Sequence, residues 1–183
     1  MRILSMLLLA LAVGAVSAPA QAAQKYDAQY AIDRAEIADL EARYMFALDW
    51  QDADAYAATF TEDGVLDWAG GVARGREAIR KEVQGMKAAA MEQAQKDAPT
   101  RPSTRRHFIT NSVVKIDGDH ATQVAYWFET LNDSPDRKTA TVPAYGHYVD
   151  TLRRVDGRWL FSSRKIFNEV MDDRAAGPEN PAR

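Results

Sequence analysis

Between residues 105 and 170 apolar and polar positions alternate with a period of two, broken only where tight turns would fall. The segments Arg106–Ile116, Ala121–Leu131, Thr139–Val155 and Trp159–Val170 carry β-branched and aromatic side chains at alternate positions, which predicts four strands with two unlike faces. Asp117-Gly118 and Asp156-Gly157 tolerate the positive φ angles of a hairpin turn, so the strands should pair as two hairpins of one antiparallel sheet. One face of the third strand, with Gly146, Tyr148, Asp150 and Leu152, is too polar for plain core and too aromatic for plain surface. That mixture predicts a pocket wall.

Upstream the period changes to that of a helix. From Ala31 to Trp50, Ile37, Leu40, Tyr44 and Leu48 fall on one flank and Ala42, Met45 and Phe46 on the other, with Glu36, Asp39 and Arg43 forming a charged stripe. Asp33 is the expected N-cap, and Glu36 completes a capping box. Asp49 lies beside Ala42 and Met45, so its carboxylate faces apolar surroundings. It is either a functional group or a cap for the short helix that follows over residues 52–60, and position alone leaves both open. Thr61-Glu62-Asp63-Gly64 predicts a turn, Val65–Trp68 a short strand, and Val72–Arg74 a partner pairing back on it. Gly75-Arg76-Glu77 then opens a long helix with Ile79, Val83 and Met86 buried, halted by Pro99 and Pro102. Its second half buries little beyond Met91 and reads as an exposed helix end, or as a lid or subunit contact. The order gives an α+β fold with helices on one face of a curved, mostly antiparallel sheet. Residues 171–183, with Pro178 and Pro181, are expected to form a disordered tail.

The first 22 residues have a different character. Arg2 precedes an apolar run from Ile3 to Val16, and Ala20-Gln21-Ala22 supplies a small-residue cleavage site, which predicts a signal peptide and export to the periplasm or cell exterior. The run is shorter than the ~18 residues a membrane span needs. Residues 23–170 then fit one domain. Cysteine is absent, which excludes disulfides, thiolate metal sites and cysteine nucleophiles. The net charge is −3, and the basic residues are scattered except at Arg101, Arg105 and Arg106, so nucleic acid is not an expected partner. That cluster reads as a solvated loop or as a guide for an anionic ligand.

Five short motifs in this order resemble the SnoaL-like proteins of the nuclear transport factor 2-like superfamily, scytalone dehydratase-related branch. They are residues 47–54, the Phe60-Thr61-Glu62-Asp63-Gly64 turn, Gly75-Arg76-Glu77-Ala78-Ile79, Arg106-His107-Phe108-Ile109-Thr110-Asn111, and Asp156-Gly157-Arg158-Trp159. The resemblance implies a cone-shaped roll, a curved sheet packed on three N-terminal helices, with a pocket between sheet and helices. It also implies that Asp49 and His107 are the catalytic pair. Such a pair has a physical rationale: the carboxylate holds one imidazole nitrogen while the other takes a proton from a carbon next to a carbonyl. A base of that kind would give a rate rising through about pH 6–7.

Asn111, four residues after His107, should share its face and hydrogen-bond a substrate oxygen. Trp68 stands where the family has a tyrosine, so it can stack on a flat ligand but has no phenolic proton. The family's second histidine has no counterpart between Ala121 and Leu131, where Glu129 is the available substitute; its serine and asparagine are here Gly146 and Tyr148. Trp127, Tyr148 and Tyr44 complete the expected pocket, with Trp127 exchanging for Tyr126 if the strand slips by one residue. His120 reads as turn surface and His147 as a residue of the outer sheet face.

Three function classes follow. The first is a lyase or isomerase that needs no cofactor, acting by proton transfer on a small cyclic or aromatic carbonyl compound. The second is a binding protein for an apolar or aromatic small molecule, and the third a dimeric scaffold. No phosphate-binding glycine loop is present, and Asp49, His107 and Glu129 make at most a loose metal set, so no metal or other cofactor is expected. Val149, Val155, Leu160 and Ile166 are expected to form an outer apolar patch that makes the protein a homo-oligomer, dimer or trimer.

Overall fold

The computed structural model describes residues 24–183. The expected signal peptide, residues 1–22, lies outside them. Helix α1 (Ala28–Asp49) is followed by α2 (Ala53–Ala58), strands β1 (Phe60–Trp68) and β2 (Gly71–Arg74), and helix α3 (Arg76–Asp97). Strands β3 (Arg105–Asp117), β4 (His120–Leu131), β5 (Thr141–Val155) and β6 (Arg158–Asn168) complete the regular structure of the described residues. The six strands form one open, curved sheet in the order β2-β1-β6-β5-β4-β3, antiparallel throughout except where β1 runs parallel to β6. The mixed sheet follows from chain order, since a helix separates β1 and β2 from the later meander. Within residues 24–183 no helix is long and apolar enough to cross a membrane.

Helix α1 starts one turn earlier than its apolar pattern suggests. Its cap is Asp27, whose side chain accepts from the Tyr30 N–H, and not Asp33. Asp33 is instead buried and paired with Arg154 of β5, because α1 crosses the sheet and a carboxylate inside that contact needs a cation. Asp52 caps α2 by accepting from the Ala55 N–H at 3.0 Å, which leaves Asp49 free for another partner. The predicted turn at residues 61–64 runs within β1, whose register against β6 shifts between Phe60 and Val65. The buried side of α1 packs Ile37, Leu40 and Tyr44 against Phe60 and Phe161 of the sheet and Tyr56 of α2.

The outer sheet face differs from the expected patch. Ile166 pairs with Tyr148 on the inner face, while Leu160, beyond the shift in β5–β6 register between Thr151 and Leu152, pairs with Arg153 on the side of Val149 and Val155 and is buried there. What lies exposed outside is aromatic: Phe108, Tyr126 and Tyr145, with the half-buried Phe128 stacked on Phe108. His147 belongs to this face but is buried, its ring stacked on Phe167, and burial draws its pKa below the ordinary imidazole value. Within the 171–183 segment, expected to be disordered, Arg174 is tied to the Asp67 carboxylate and the Trp68 carbonyl.

Candidate active site

Between the concave sheet, the end of α1 and the second half of α3 lies a cavity of about 870 Å³. Met86, Ala90 and Met91 of α3 line it, so the half of that helix that buries little against the sheet forms one wall. Tyr44, Trp68, Trp127, Glu129 and Tyr148 line it as well, together with Asp49 and His107. Strand register explains the choice of Trp127: it pairs with Ile109 and Gly146, facing inward, while Tyr126 is exposed.

His107 occupies the centre of a carboxylate clamp. Its Nδ1 lies 2.7 Å from Asp49 Oδ1, its Nε2 lies 3.0 Å from Glu129 Oε2, and its backbone N–H donates to both Asp49 oxygens at 3.2 Å. The last residue of α1 reaches β3 from one side, and Glu129, paired with His107 across the β3–β4 ladder, reaches it from the other. All three side chains are largely buried. Burial alone would lower the imidazole pKa, but hydrogen bonds to Asp49 and then to Glu129 outweigh it and hold the pKa above the ordinary value. Both ring nitrogens face carboxylate oxygens, an arrangement that suits the protonated ring with two N–H donors. Neither nitrogen is the free base expected from the sequence. Arg105 places Nη1 3.3 Å from the same Glu129 oxygen, so the arginine cluster is in part a wall of the cavity.

Asn111 is not in this cavity. The register against β4 shifts between Thr110 and Val113, and Asn111 takes a left-handed backbone with φ of 50°. Four residues of strict alternation would have kept it on the His107 face; the bulge turns it out to an exposed position. Trp68 lines the cavity, but its Nε1 is buried away from the open space and has no acceptor among the described residues. Its indole folds over Gly70, where a Cβ would lie 2.3 Å from the ring.

The opposite end of the wall is held by the indole of Trp127, stacked on Tyr148 and donating from Nε1 to the Phe167 carbonyl at 3.0 Å. Gly146 permits this, since a Cβ there would stand 2.1 Å from the Phe167 oxygen. Gly146→Ala is therefore expected to push β6 away, break the indole hydrogen bond and destabilise the fold by about 1–3 kcal/mol. Urea unfolding with tryptophan fluorescence measures it.

Beneath the cavity floor lies a buried charge network that the sequence pattern did not reveal. Arg164 is fully buried and makes a bidentate pair with Asp150, Nε to Oδ1 at 2.9 Å and Nη2 to Oδ2 at 2.7 Å. Its Nη2 also donates to Glu41 Oε1 at 2.6 Å, and Gln123 donates to the same oxygen at 2.8 Å. The guanidinium is enclosed by the rings of Tyr44, Tyr148 and Phe161, each 4.1–4.2 Å away. Tyr44, whose hydroxyl accepts from Tyr56 at 2.7 Å, thus joins floor to network. The only legible signal was Asp150 on an otherwise apolar face.

Burial pushes the Glu41 carboxyl up to about 7, with Arg164 opposing and Asp150 adding to the shift. A carboxyl whose folded pKa exceeds its unfolded one stabilises the fold fully below the unfolded value near 4.5, and that contribution is lost as pH rises through about 7. Stability is expected to decline across this window. Glu41→Gln, which keeps the shape without the titration, should flatten the decline in unfolding measurements at pH 5 and 8.

Comparison with known proteins bears on the fold. The model of the SnoaL-like domain matches residues 29–165. An NTF2-like protein with a cystatin-like fold from Novosphingobium aromaticivorans is 27% identical, with a TM-score of 0.63 covering 84% of this chain and 88% of that one. A structure from Catenulispora acidiphila in complex with S-DNPA is 29% identical, with a TM-score of 0.59 covering 76% and 96%. A scytalone dehydratase-like protein from Novosphingobium aromaticivorans shares the fold at a TM-score of 0.60 and 22% identity, covering 84% and 97%. Curated proteins give no match. With its helices on an open curved sheet, its cavity and a family match over most of its length, the chain belongs to the SnoaL-like domain family.

Proposed function

We propose that this protein is a lyase or isomerase, of dehydratase, isomerase or cyclase type, that works without a cofactor on a small cyclic or aromatic carbonyl compound. The observation that carries the reading is the imidazole of His107 clamped between Asp49 and Glu129 in the wall of an aromatic cavity. A protein that only holds an apolar ligand gains nothing from three ionisable groups there, since their burial is costly unless they are paired. Glu129 Oε2 is taken up by His107 and Arg105, while Oε1 has no part in these contacts. In the proposed reaction a Glu129 oxygen accepts the proton from the carbon next to the carbonyl. His107 Nε2–H then turns toward the substrate oxygen as an acid, with Asp49 holding the ring. Tyr44, Trp127 and Tyr148 give the flat apolar surface on which a ring can lie.

The solved relative in complex with S-DNPA supports a small-molecule ligand for this cavity. Turnover is tested by incubating the protein with a panel of cyclic hydroxy-ketones and enones in metal-free buffer and following substrate loss. Turnover of at least one compound, abolished by Glu129→Gln, is the expected result. Equal binding by wild type and variant with no turnover by either would instead make the protein a ligand carrier.

The protein is proposed to act outside the cytoplasm, on the strength of residues 1–22, and as a homodimer through the outer aromatic face of Phe108, Tyr126, Phe128 and Tyr145. Light scattering at micromolar concentration is expected to give twice the chain mass, and Tyr126→Lys to return it to a monomer. A wild-type monomer would contradict the dimer.

A further inference from the structure

We propose that Arg174, in the segment after β6, is a positioning residue of the candidate active site: it fixes Trp68, and with it one wall of the cavity against which a ring-shaped ligand lies. The inference rests on the reading of this cavity as a ligand site. From Asn168 the chain folds into a closed loop, in which the Asn168 N–H donates to the Arg174 carbonyl and the Arg174 N–H to the Met171 carbonyl, each at 2.9 Å. The Glu169 N–H donates to the Tyr145 carbonyl at 2.9 Å, which ties the loop to β5. The loop thereby carries the Arg174 guanidinium to the end of β1. There Nη1 donates to the Asp67 carboxylate and Nη2 to the Trp68 carbonyl, so one planar fork holds two consecutive residues. Both side chains of the ion pair are partly buried.

Two features of Trp68 give this contact a task beyond that of a surface ion pair. Asp67, paired with Lys165, is the last β1 residue in the ladder with β6, and Trp68 lies beyond it. Its other neighbour is Gly71 of β2, a strand of 4 residues at the sheet edge, so Arg174 supplies the hold that the ladder no longer gives. The second feature is the indole. Its Nε1–H, buried without an acceptor among the described residues, would gain a water partner if the ring turned outward. Gly70 leaves room for the ring in its present place, and the backbone pinned by Arg174 keeps it there. Trp68 and Asn168 both line the cavity, and the Phe167 carbonyl just before the loop accepts from the Trp127 indole. One short stretch of chain therefore sets both tryptophans of the cavity.

The test uses 1-tetralone as probe and follows the indole N–H signals of the isotope-labelled full chain by NMR. The Trp68 N–H is expected to exchange slowly in deuterated buffer and about tenfold or more faster in Arg174→Ala, while the N–H of Trp159, buried elsewhere, keeps its rate. Affinity for 1-tetralone should fall about tenfold in Arg174→Ala. Arg174→Lys keeps a donor for one of the two acceptors and should fall between. Gly70→Ala displaces the ring directly with Arg174 intact and should weaken binding likewise. Trp68 exchange that is already fast in wild type or unchanged in Arg174→Ala would overturn the proposal. So would equal acceleration at Trp159, which would mean general loosening, or full affinity in both Arg174→Ala and Gly70→Ala. Failure of 1-tetralone to bind wild type would instead count against the ligand site itself, and the exchange comparison would still decide whether Arg174 holds Trp68.

Discussion

Turnover by His107→Ala is expected to fall about 10²–10⁴-fold, the range supplied by a positioned proton-transfer group, while the fold is retained. Glu129→Gln should fall similarly, because it removes the proposed proton acceptor and one of the two carboxyl partners that raise the His107 pKa. Asp49→Asn separates orientation from titration. Hydrogen bonds to Asp49 and Glu129 hold the His107 pKa above the ordinary value near 6.5. If His107 acts as the acid it must be protonated, so activity should be present below its folded pKa and lost as pH rises through it. This reverses the rising profile that the sequence alone suggests for a free imidazole base. Removing the Asp49 charge lowers that pKa, so in Asp49→Asn the falling limb should move to lower pH. Steady-state rates between pH 5 and 9 for the two proteins measure the displacement, and an unmoved limb would remove His107 from the acid role.

Asp150→Ala is expected to cost about 3–5 kcal/mol, the largest loss of stability from any single change considered, because it strands Arg164 in the core with one carboxyl partner. The bidentate contact holds β5 to β6 under the cavity floor, and its loss also loosens Tyr148 and Tyr44, which sandwich the guanidinium. The compensated change should behave differently. Arg164→Met together with Asp150→Leu and Glu41→Gln removes every formal charge at once, and is expected to recover most of the loss, since an apolar substitute for a buried ion network is often neutral or stabilising. Urea unfolding of the single and the combined variants decides it. Equal stability of Asp150→Ala and wild type would show that the network contributes nothing.

The fold was legible because the alternation from Arg105 onward and the two Asp-Gly turns are local signals that the sheet did not override. The placement of Trp127 on the inner face and Tyr126 on the outer follows from that period as long as the strand stays in register. The same rule misplaced Asn111, because a bulge is a one-residue event with no marker in the pattern; a left-handed asparagine is its only trace. Asp33 was misread as a cap because Asp27, six residues earlier, serves as well, and only the crossing of α1 over Arg154 shows which carboxylate is needed inside. The approach of Asp49 to His107 was suggested by an acidic residue on an apolar flank together with the family motifs. The second carboxylate was visible as Glu129, but not its place on the imidazole. Glu41 and Arg164 stand 123 positions apart, and each alone resembles an ordinary surface charge. No local rule joins them.

The central claim is that the clamp of Asp49, His107 and Glu129 moves a proton at a carbon next to a carbonyl. Exchange of that proton reports it directly, without the full reaction having to run. Cyclic ketones of the size of the cavity are incubated with the protein in deuterated buffer, and deuterium incorporation at the carbon beside the carbonyl is followed by NMR. The prediction is incorporation by wild type well above the buffer rate, reduced about 10²-fold or more in both His107→Ala and Glu129→Gln. Incorporation at the buffer rate by wild type, for ketones shown in the same spectra to bind beside Trp68 and Trp127, would contradict it.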